Sequence, residues 1–429
     1  MTTIDKYDVI VAGGGPGGVG AAVAASRGGA RTLLVEREGC LGGGGTTMLV
    51  NPFMPYTTDC WREKGDEKIV NAGIFMEALK ELKARGGTSP DDDRRFDDEA
   101  WKVVLDDLVA SAGVTVIFHA ALYDAQSASG RVQSIRLAHN SGPITVTGKV
   151  FIDATGDALL SAMAGCEVMF GNEDGKVMPM TLNFIVGGVD NARAPSGEQM
   201  RKLAAKGDKD TPALINTNFS CLSYFRPGTM HFNAIRIIGN TIDPTDLSNA
   251  ESEGRRRVQN FVAWLKANVP GYEKCYLVKT GQHIGIRESR RVVGDYMLTG
   301  EDFSRCAKFD DGIACSAYPV DIHGQKQGQT RIEHLPPGEY YHIPYRCLTP
   351  KGMANLLVAS RSVSADVVAH SSLRVMPIVM NIGEAAGYAA AMSLPAGDVR
   401  KIDVQKLRAK IRAAGGVLEA KPKEAAVAK

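Results

Sequence analysis

Tyr7-Asp8-Val9-Ile10-Val11-Ala12-Gly13-Gly14-Gly15-Pro16-Gly17-Gly18 stands near the start of the chain and is the most informative stretch in it. Tyr7–Ala12 has the apolar run of a buried parallel strand, and glycines 13, 15 and 18 follow in G-x-G-x-x-G order. Val19–Arg27 carries the small apolar residues of a closely packed helix, and Arg31–Glu36 reads as a second strand. This is a βαβ unit. Gly13 permits the tight turn, Gly15 lets a pyrophosphate approach the backbone, and Gly18 lets helix pack on strand. The free N–H groups of the helix then face the phosphates. Glu36 ends the second strand 18 residues after Gly18. An acidic residue there accepts hydrogen bonds from both ribose hydroxyls of an adenosine and argues against NADP. The pattern in this setting specifies dinucleotide binding.

The remaining composition bounds the answer. A length of 429 residues implies two or three domains. Lys and Arg number 50 and Asp and Glu 48, so the chain has no basic footprint for nucleic acid. The eight cysteines show no C-x-x-C pair, which removes the redox dithiol and the zinc knuckle and leaves no metal site expected. Sparse thiols, no apolar leader and no apolar run of membrane-spanning length point to a cytoplasmic protein without a membrane span.

Further along, Ile69–Arg85 and Asp97–Ser111 read as helices, the second capped by Asp97 or Asp98. Val114–His119, Ala121–Ser127, Val132–His139 and Ile144–Thr147 read as short strands, with Ser129-Gly130 turning a hairpin. Val150–Ala154 is a buried strand closed by Thr155-Gly156-Asp157. From 166 to 330 the texture changes: strands Thr181–Val186 and Met230–Ile238 surround a helical stretch, Leu247–Asn268. Asn355–Ala359 is again a buried strand, and Met376–Met392 a Gly- and Ala-rich helix. The last residues, 414–429, read as a flexible tail.

Val9–Gly18 with Glu36-Arg37 resembles the FAD-binding N-terminus of glutathione-reductase-like flavoproteins, and Asp153-Ala154-Thr155-Gly156-Asp157 resembles their second motif. Cys40-Leu41-Gly42-Gly43, Ile284–Arg291 and Ser372-Leu373-Arg374-Val375-Met376-Pro377 with Gly383-Glu384-Ala385-Ala386-Gly387 resemble the FAD-dependent oxidoreductases that include relatives of the heterodisulfide reductase flavin subunit. The resemblance implies an α/β fold. A Rossmann-like FAD-binding domain, a parallel sheet with a small antiparallel β-meander, occupies 1–165 and 331–413. A β-rich α+β substrate domain is inserted at 166–330. It implies FAD as cofactor, held by Gly13, Gly15, Pro16, Gly17, Gly18, Glu36 and Arg37, then by Gly42, Gly43, Gly44, Thr46 and Thr47. Ala121 and Leu122, then Ala154, Thr155, Gly156 and Asp157, and finally Arg374 and Met376 complete the implied set. A helix starting near Met376 would aim its positive end at the pyrimidine side of the flavin, and Pro377 suits its first turn.

Chemistry on this scaffold is expected to be oxidation of a CH–OH or activated C–H group of a small molecule by hydride transfer, with dioxygen or a separate acceptor taking the electrons. Reduction of an activated double bond and a non-catalytic electron-transfer subunit are the alternatives. A homo-oligomer is compatible with the sequence. No second G-x-G-x-x-G follows a strand, so no NAD(P)H domain is expected, and no cysteine cluster suits an iron–sulfur centre. For the proton, His370 before the flavin-directed helix and His283 are the candidate bases. On a strand, period-2 alternation would place His283, Arg287, Ser289 and Arg291 on one face. Arg287, Arg290, Arg346 and Arg374 are candidates for a carboxylate or for flavin charge, or else partners of an acid such as Glu288.

Overall fold

The computed structural model describes residues 2–59, 67–206, 219–324 and 330–422. Its centre is a five-stranded parallel sheet in the order Leu356–Val358, Val150–Asp153, Val9–Ala12, Thr32–Val35, Thr115–Ile117. All four residues of Val9–Ala12 are buried, because both faces of the sheet are covered. Val9, Val11 and Leu34 face the helical layer, whereas Ile10, Ala12, Leu33 and Val35 face the opposite one. That second layer is the expected meander, strands Ala121–Ala128, Arg131–Ala138 and Ile144–Thr147, extended by Thr2–Ile4 pairing in parallel with the last. Ser129 and Gly130 turn the hairpin with φ of 51° and 70°, the left-handed pair that a two-residue turn of this hand needs.

Two long helices pack on the other face. Pro16–Arg27 and Met376–Ser393 touch backbone to backbone. A Cβ on Gly383 would stand 2.0 Å from the Gly17 carbonyl oxygen, and one on Gly387 2.1 Å from that of Ala21. The glycine-rich sequences of both helices thus serve one contact.

A separate four-stranded antiparallel sheet, ordered Ser220–Ser223, Met230–Ile237, Met180–Gly187, Tyr276–Thr280, carries the helix Pro244–Asn268 on one face. The two enclose their own core, with Phe184, Phe232 and Phe261 stacked and edge-on at its centre. The molecule is therefore an α/β protein with a Rossmann-like core and a β-rich addition. No helix among the described residues is long and apolar enough to cross a membrane.

Three expectations change. The helix expected from Ile69 begins at Ile74, because Lys68–Ile69 pairs as a strand with Lys421–Pro422. The tail expected to be flexible from 414 holds defined structure as far as Pro422: Val417 and Leu418 bury their side chains in the protein, and Lys421–Pro422 pairs with Lys68–Ile69. Residues 423–429 lie outside those described. The Arg-rich segment is a strand only over Arg290–Val292. Upstream, Gly285 exchanges both backbone hydrogen bonds with Thr181 as an isolated bridge and the chain bends at Gln282-His283, so no continuous strand aligns His283 with Arg287.

Candidate active site

At the carboxyl ends of the parallel strands, where open α/β sheets bind ligands, lies an elongated cleft. Its floor is the glycine loop. Gly13 has φ of 102°, and a Cβ there would meet the Ala154 carbonyl oxygen at 2.6 Å. Only glycine fits. Around the position a Gly15 Cβ would take, by contrast, no atom lies within 4 Å, so the loop presents bare backbone to the cleft. The helix that follows has no side-chain cap at Gly15, and its first N–H groups are left for a ligand. Glu36 closes the far end. Its buried carboxylate accepts from the Gly14 N–H and, at 2.9 Å, from the Glu38 N–H, fixing it against the glycine loop. Burial pushes its pKa up, against those two hydrogen bonds.

Asp153 holds the next wall. Its side chain accepts from the N–H and hydroxyl of both Thr155 and Ser161, so the turn Ala154–Asp157 leaves the strand in a fixed direction. Gly156 takes φ of 82° in that turn. Asp157 pairs at 2.6 Å with Arg361, which also lines the cleft. The opposite wall is Gly43, Gly44, Thr47 and Met48, and the end of the cleft is Arg374 and Met376. Met376 is the first residue of its helix, whose N-cap Val375 offers no side-chain bond, so this positive helix end is open as well.

Of the residues implied by the resemblance, Gly13, Gly15, Pro16 and Gly17 line the cleft with Glu36, Arg37, Gly43, Gly44 and Thr47. So do Ala121, Leu122, Ala154, Thr155, Gly156, Asp157, Arg374 and Met376. Gly18, Gly42 and Thr46 stand behind the lining. Gly18 is where the helix meets the strand, its Cβ position 1.8 Å from the Gly13 carbonyl oxygen, and Thr46 donates at 2.8 Å to the Leu41 carbonyl. A bare glycine loop, an acid at the adenosine end and open helix N-termini at both ends fit FAD. Glu38, Met48 and Arg361 were missed, although Arg361 follows a parallel strand by three residues, where such folds place ligand contacts.

A second cavity, about 830 Å³ of free space with its mouth included, shares Gly44, Met48, Arg361, Arg374 and Met376 with the cleft. Its other wall comes from the antiparallel sheet and the strand Val320–His323. It is lined by Asn183, Asn233, Arg287, Tyr318, Asp321 and His323, among others. Asp321 is the hub. One carboxylate oxygen lies 3.2 Å from His323 Nε2; the other accepts from the Tyr318 hydroxyl at 3.1 Å and lies 3.4 Å from Arg374. Against burial, His323 and then the Arg374 and Arg287 charges hold the Asp321 carboxyl well below its ordinary range. Burial outweighs Asp321 at His323 and takes that imidazole down to about 4. His323 is therefore neutral near pH 7, with Nε2 turned to Asp321 and Nδ1 buried without a hydrogen-bond partner among the described residues. Asp321 and His323 alternate with apolar Val320 and Ile322, a period-2 signal that was available in the sequence.

The structure does not bring the two expected histidines into either lining. His370 is fully buried in the short helix Val367–Leu373, its pKa driven well below normal first by burial and then by Arg291, Arg374 and Arg361. His283 sits 2.8 Å from a Glu38 carboxylate oxygen at the outer edge of the cleft. Arg287 and Arg374 do reach the second cavity. Arg346 pairs with Asp311 elsewhere, and Glu288 pairs at 2.5 Å with Arg291, both buried. Among the described residues no cluster of His, Cys, Asp and Glu suits a metal ion.

Residues 8–411 match the family model described as FAD dependent oxidoreductase. No curated protein matches the chain. Among solved structures it is similar to a geranylgeranyl bacteriochlorophyll reductase-like protein from Thermoplasma acidophilum, at 15% identity and TM-score 0.48, over 96% of this chain and 84% of that one. It is also similar to an anhydrotetracycline hydroxylase from Streptomyces rimosus, at 12% and 0.45, over 96% of this chain and 65% of that one. A myxobacterial chondrochloren halogenase matches at 14% and 0.43, over 97% of this chain and 80% of that one. The chain belongs to the FAD-dependent oxidoreductase family, and its cofactor is FAD.

Proposed function

We propose that this protein oxidises a CH–OH group of a small molecule held in the second cavity. The observation that carries the reading is the wall shared by the FAD cleft and a chamber containing a neutral, carboxylate-oriented histidine. FAD, when bound, supplies a two-electron acceptor for the hydride that leaves carbon. The chain's own part is the proton. Asp321 takes a hydrogen bond from Nε2–H of His323, which keeps the lone pair on Nδ1. Nδ1 accepts the hydroxyl proton as the carbon becomes a carbonyl, and Asp321 then faces the imidazolium so formed. Arg374, on the wall of both cavities, holds Asp321 in place. The two electrons pass on to dioxygen or a separate acceptor.

The test is anaerobic mixing of the purified yellow protein with a panel of alcohols and hydroxy acids. Bleaching of the flavin with formation of the carbonyl product supports the reading; bleaching by none, together with reoxidation of reduced enzyme by an activated alkene, reverses its direction. The same reading places the protein in the cytoplasm, supported by the free state of all seven described cysteines. Kinship with glutathione-reductase-like proteins, resting on Val9–Gly18 with Glu36-Arg37 and on Asp153–Asp157, is part of the proposal, as is kinship with the heterodisulfide reductase flavin subunit, resting on Cys40–Gly43, Ile284–Arg291 and Ser372–Gly387.

A further inference from the structure

We infer that the substrate is a small carboxylic acid, a hydroxy acid if the oxidation proposed above is right, and that Arg287 anchors its carboxylate. The charges around Arg287 do not balance. Arg287 makes three hydrogen bonds, to the Pro179 carbonyl at 2.8 Å, the Thr181 hydroxyl at 2.5 Å and the Asn233 side-chain oxygen at 3.1 Å. All three acceptors are neutral, and among the described residues Arg287 has no acidic partner within ion-pair distance. Its electrostatic neighbours are two further cations, Arg374 and Arg236, with Asp321 and Tyr318. Asp321 is the one ionised acid in that group, and its oxygens are already engaged by His323, Tyr318 and Arg374. Burial, and then repulsion from Arg374 and Arg236, pull the Arg287 guanidinium down to about 9.

An ionic group withdrawn from water without a counter-charge is costly, so such a group is paired in its working state. Here the pairing anion has to come from the chamber, since Arg287 lines it. A planar guanidinium fork favours a planar carboxylate bound through two parallel hydrogen bonds. Arg374 lines the FAD cleft as well, which makes it the better placed of the two for flavin charge; Arg287 lines only the chamber. A second unused group points to a ligand of the same class. Asn183, 2% exposed and in the same lining, donates from its amide nitrogen to the Met48 carbonyl at 2.8 Å, yet its buried Oδ1 has no hydrogen-bond partner among the described residues. An orphaned acceptor asks for a donor on the ligand; the reacting hydroxyl gives its proton to His323, so the ligand that fits carries a further polar group besides its carboxylate and that hydroxyl.

The inference is tested by ligand binding, apart from turnover. The FAD-loaded protein is titrated with acetate, oxalate and benzoate, with acetamide and benzamide as uncharged counterparts and with inorganic phosphate, following the flavin absorbance and the heat of binding. At least one carboxylate should bind saturably and more tightly than its amide, and Arg287→Met should weaken it on the order of 10- to 100-fold. Arg287→Lys, which keeps the charge and loses the fork, should fall between. Amides binding as well as carboxylates, phosphate binding more tightly than every carboxylate, or an FAD-loaded Arg287→Met protein with unchanged carboxylate affinity would each overturn it. The comparison of acids with amides uses the unaltered protein, so it stands even if the variant does not fold. Carboxylate binding without bleaching by any hydroxy acid would count against the oxidation alone; bleaching by neutral alcohols only would count against the anion anchor alone.

Discussion

Glu36 is held by the protein's own backbone, because the N–H groups of Gly14 and Glu38 fix its carboxylate against the glycine loop. Glu36→Ala should therefore loosen FAD by about 2–3 kcal/mol, through lost charge-assisted hydrogen bonds; dialysis followed by quantitation of retained FAD measures it. His323 and His370 separate at the same scale. His323→Ala should slow flavin reduction by roughly 10²–10⁴-fold with bound FAD retained. His370→Ala, made outside both linings, should lower the melting temperature and leave the reduction rate of the folded protein close to wild type. The pH dependence follows from the sign of the shift at His323. A base with a pKa of about 4 is already deprotonated at pH 5, so kcat/KM should stay level from pH 5 to 8. An ordinary imidazole would give a decline below about 6.5, and finding that decline would remove His323 from the proton step.

At the scale of elements, the contact between Pro16–Arg27 and Met376–Ser393 leaves no room for a methyl group. Gly383→Ala would press a Cβ to 2.0 Å from the Gly17 carbonyl oxygen and should cost at least the 1–3 kcal/mol typical of overpacking, with partial loss of FAD; thermal denaturation and FAD content report both. One residue along, Glu384 is fully buried, accepts from the Ile74 N–H at 3.1 Å, and is pushed up to about 8 by burial, Arg27 opposing and Glu77 reinforcing. Between its ordinary 4.5 and about 8 the folded protein holds a proton that the unfolded chain has released, so this group makes stability fall as pH rises through that window. Glu384→Gln should remove the slope, raising the melting temperature at pH 8 more than at pH 5. The small-residue composition of both helices was legible in advance, and the close packing of Val19–Arg27 with it, but their pairing at Gly17–Gly383 and Ala21–Gly387 is set by the fold. The strand expected over the Arg-rich segment was not met, since pairing there is confined to Gly285 and Arg290–Val292 and the chain bends at His283. Asp321 and His323 were legible as an alternating pair but carry no motif, and only the fold brings them into one lining with Gly44, Arg374 and Met376.

Over the whole molecule, the described residues form one parallel sheet with one glycine loop, and the antiparallel addition supplies a chamber wall. NADH and NADPH should accordingly be poor reductants, and anaerobic stopped-flow mixing should show no rapid saturable bleaching at micromolar nucleotide. The adenosine end was readable from local sequence because it is built within the first βαβ unit. The chamber joins residues from Gly44 to Met376, and no local pattern encodes that meeting. The helix pair also has a metric consequence. Gly17 meets Gly383, and Ala21 meets Gly387, so the helices run the same way with their amino ends toward the ligand. Yet the first begins at Pro16, one residue ahead of Gly17, and the second at Met376, seven ahead of Gly383, a six-residue offset of about 9 Å at 1.5 Å of rise per residue. With FAD bound, one tip would face its phosphates and the other its ring, and the step between them is held by carbonyl-to-glycine contact. A change in that contact would alter the spacing of the two tips along the cleft.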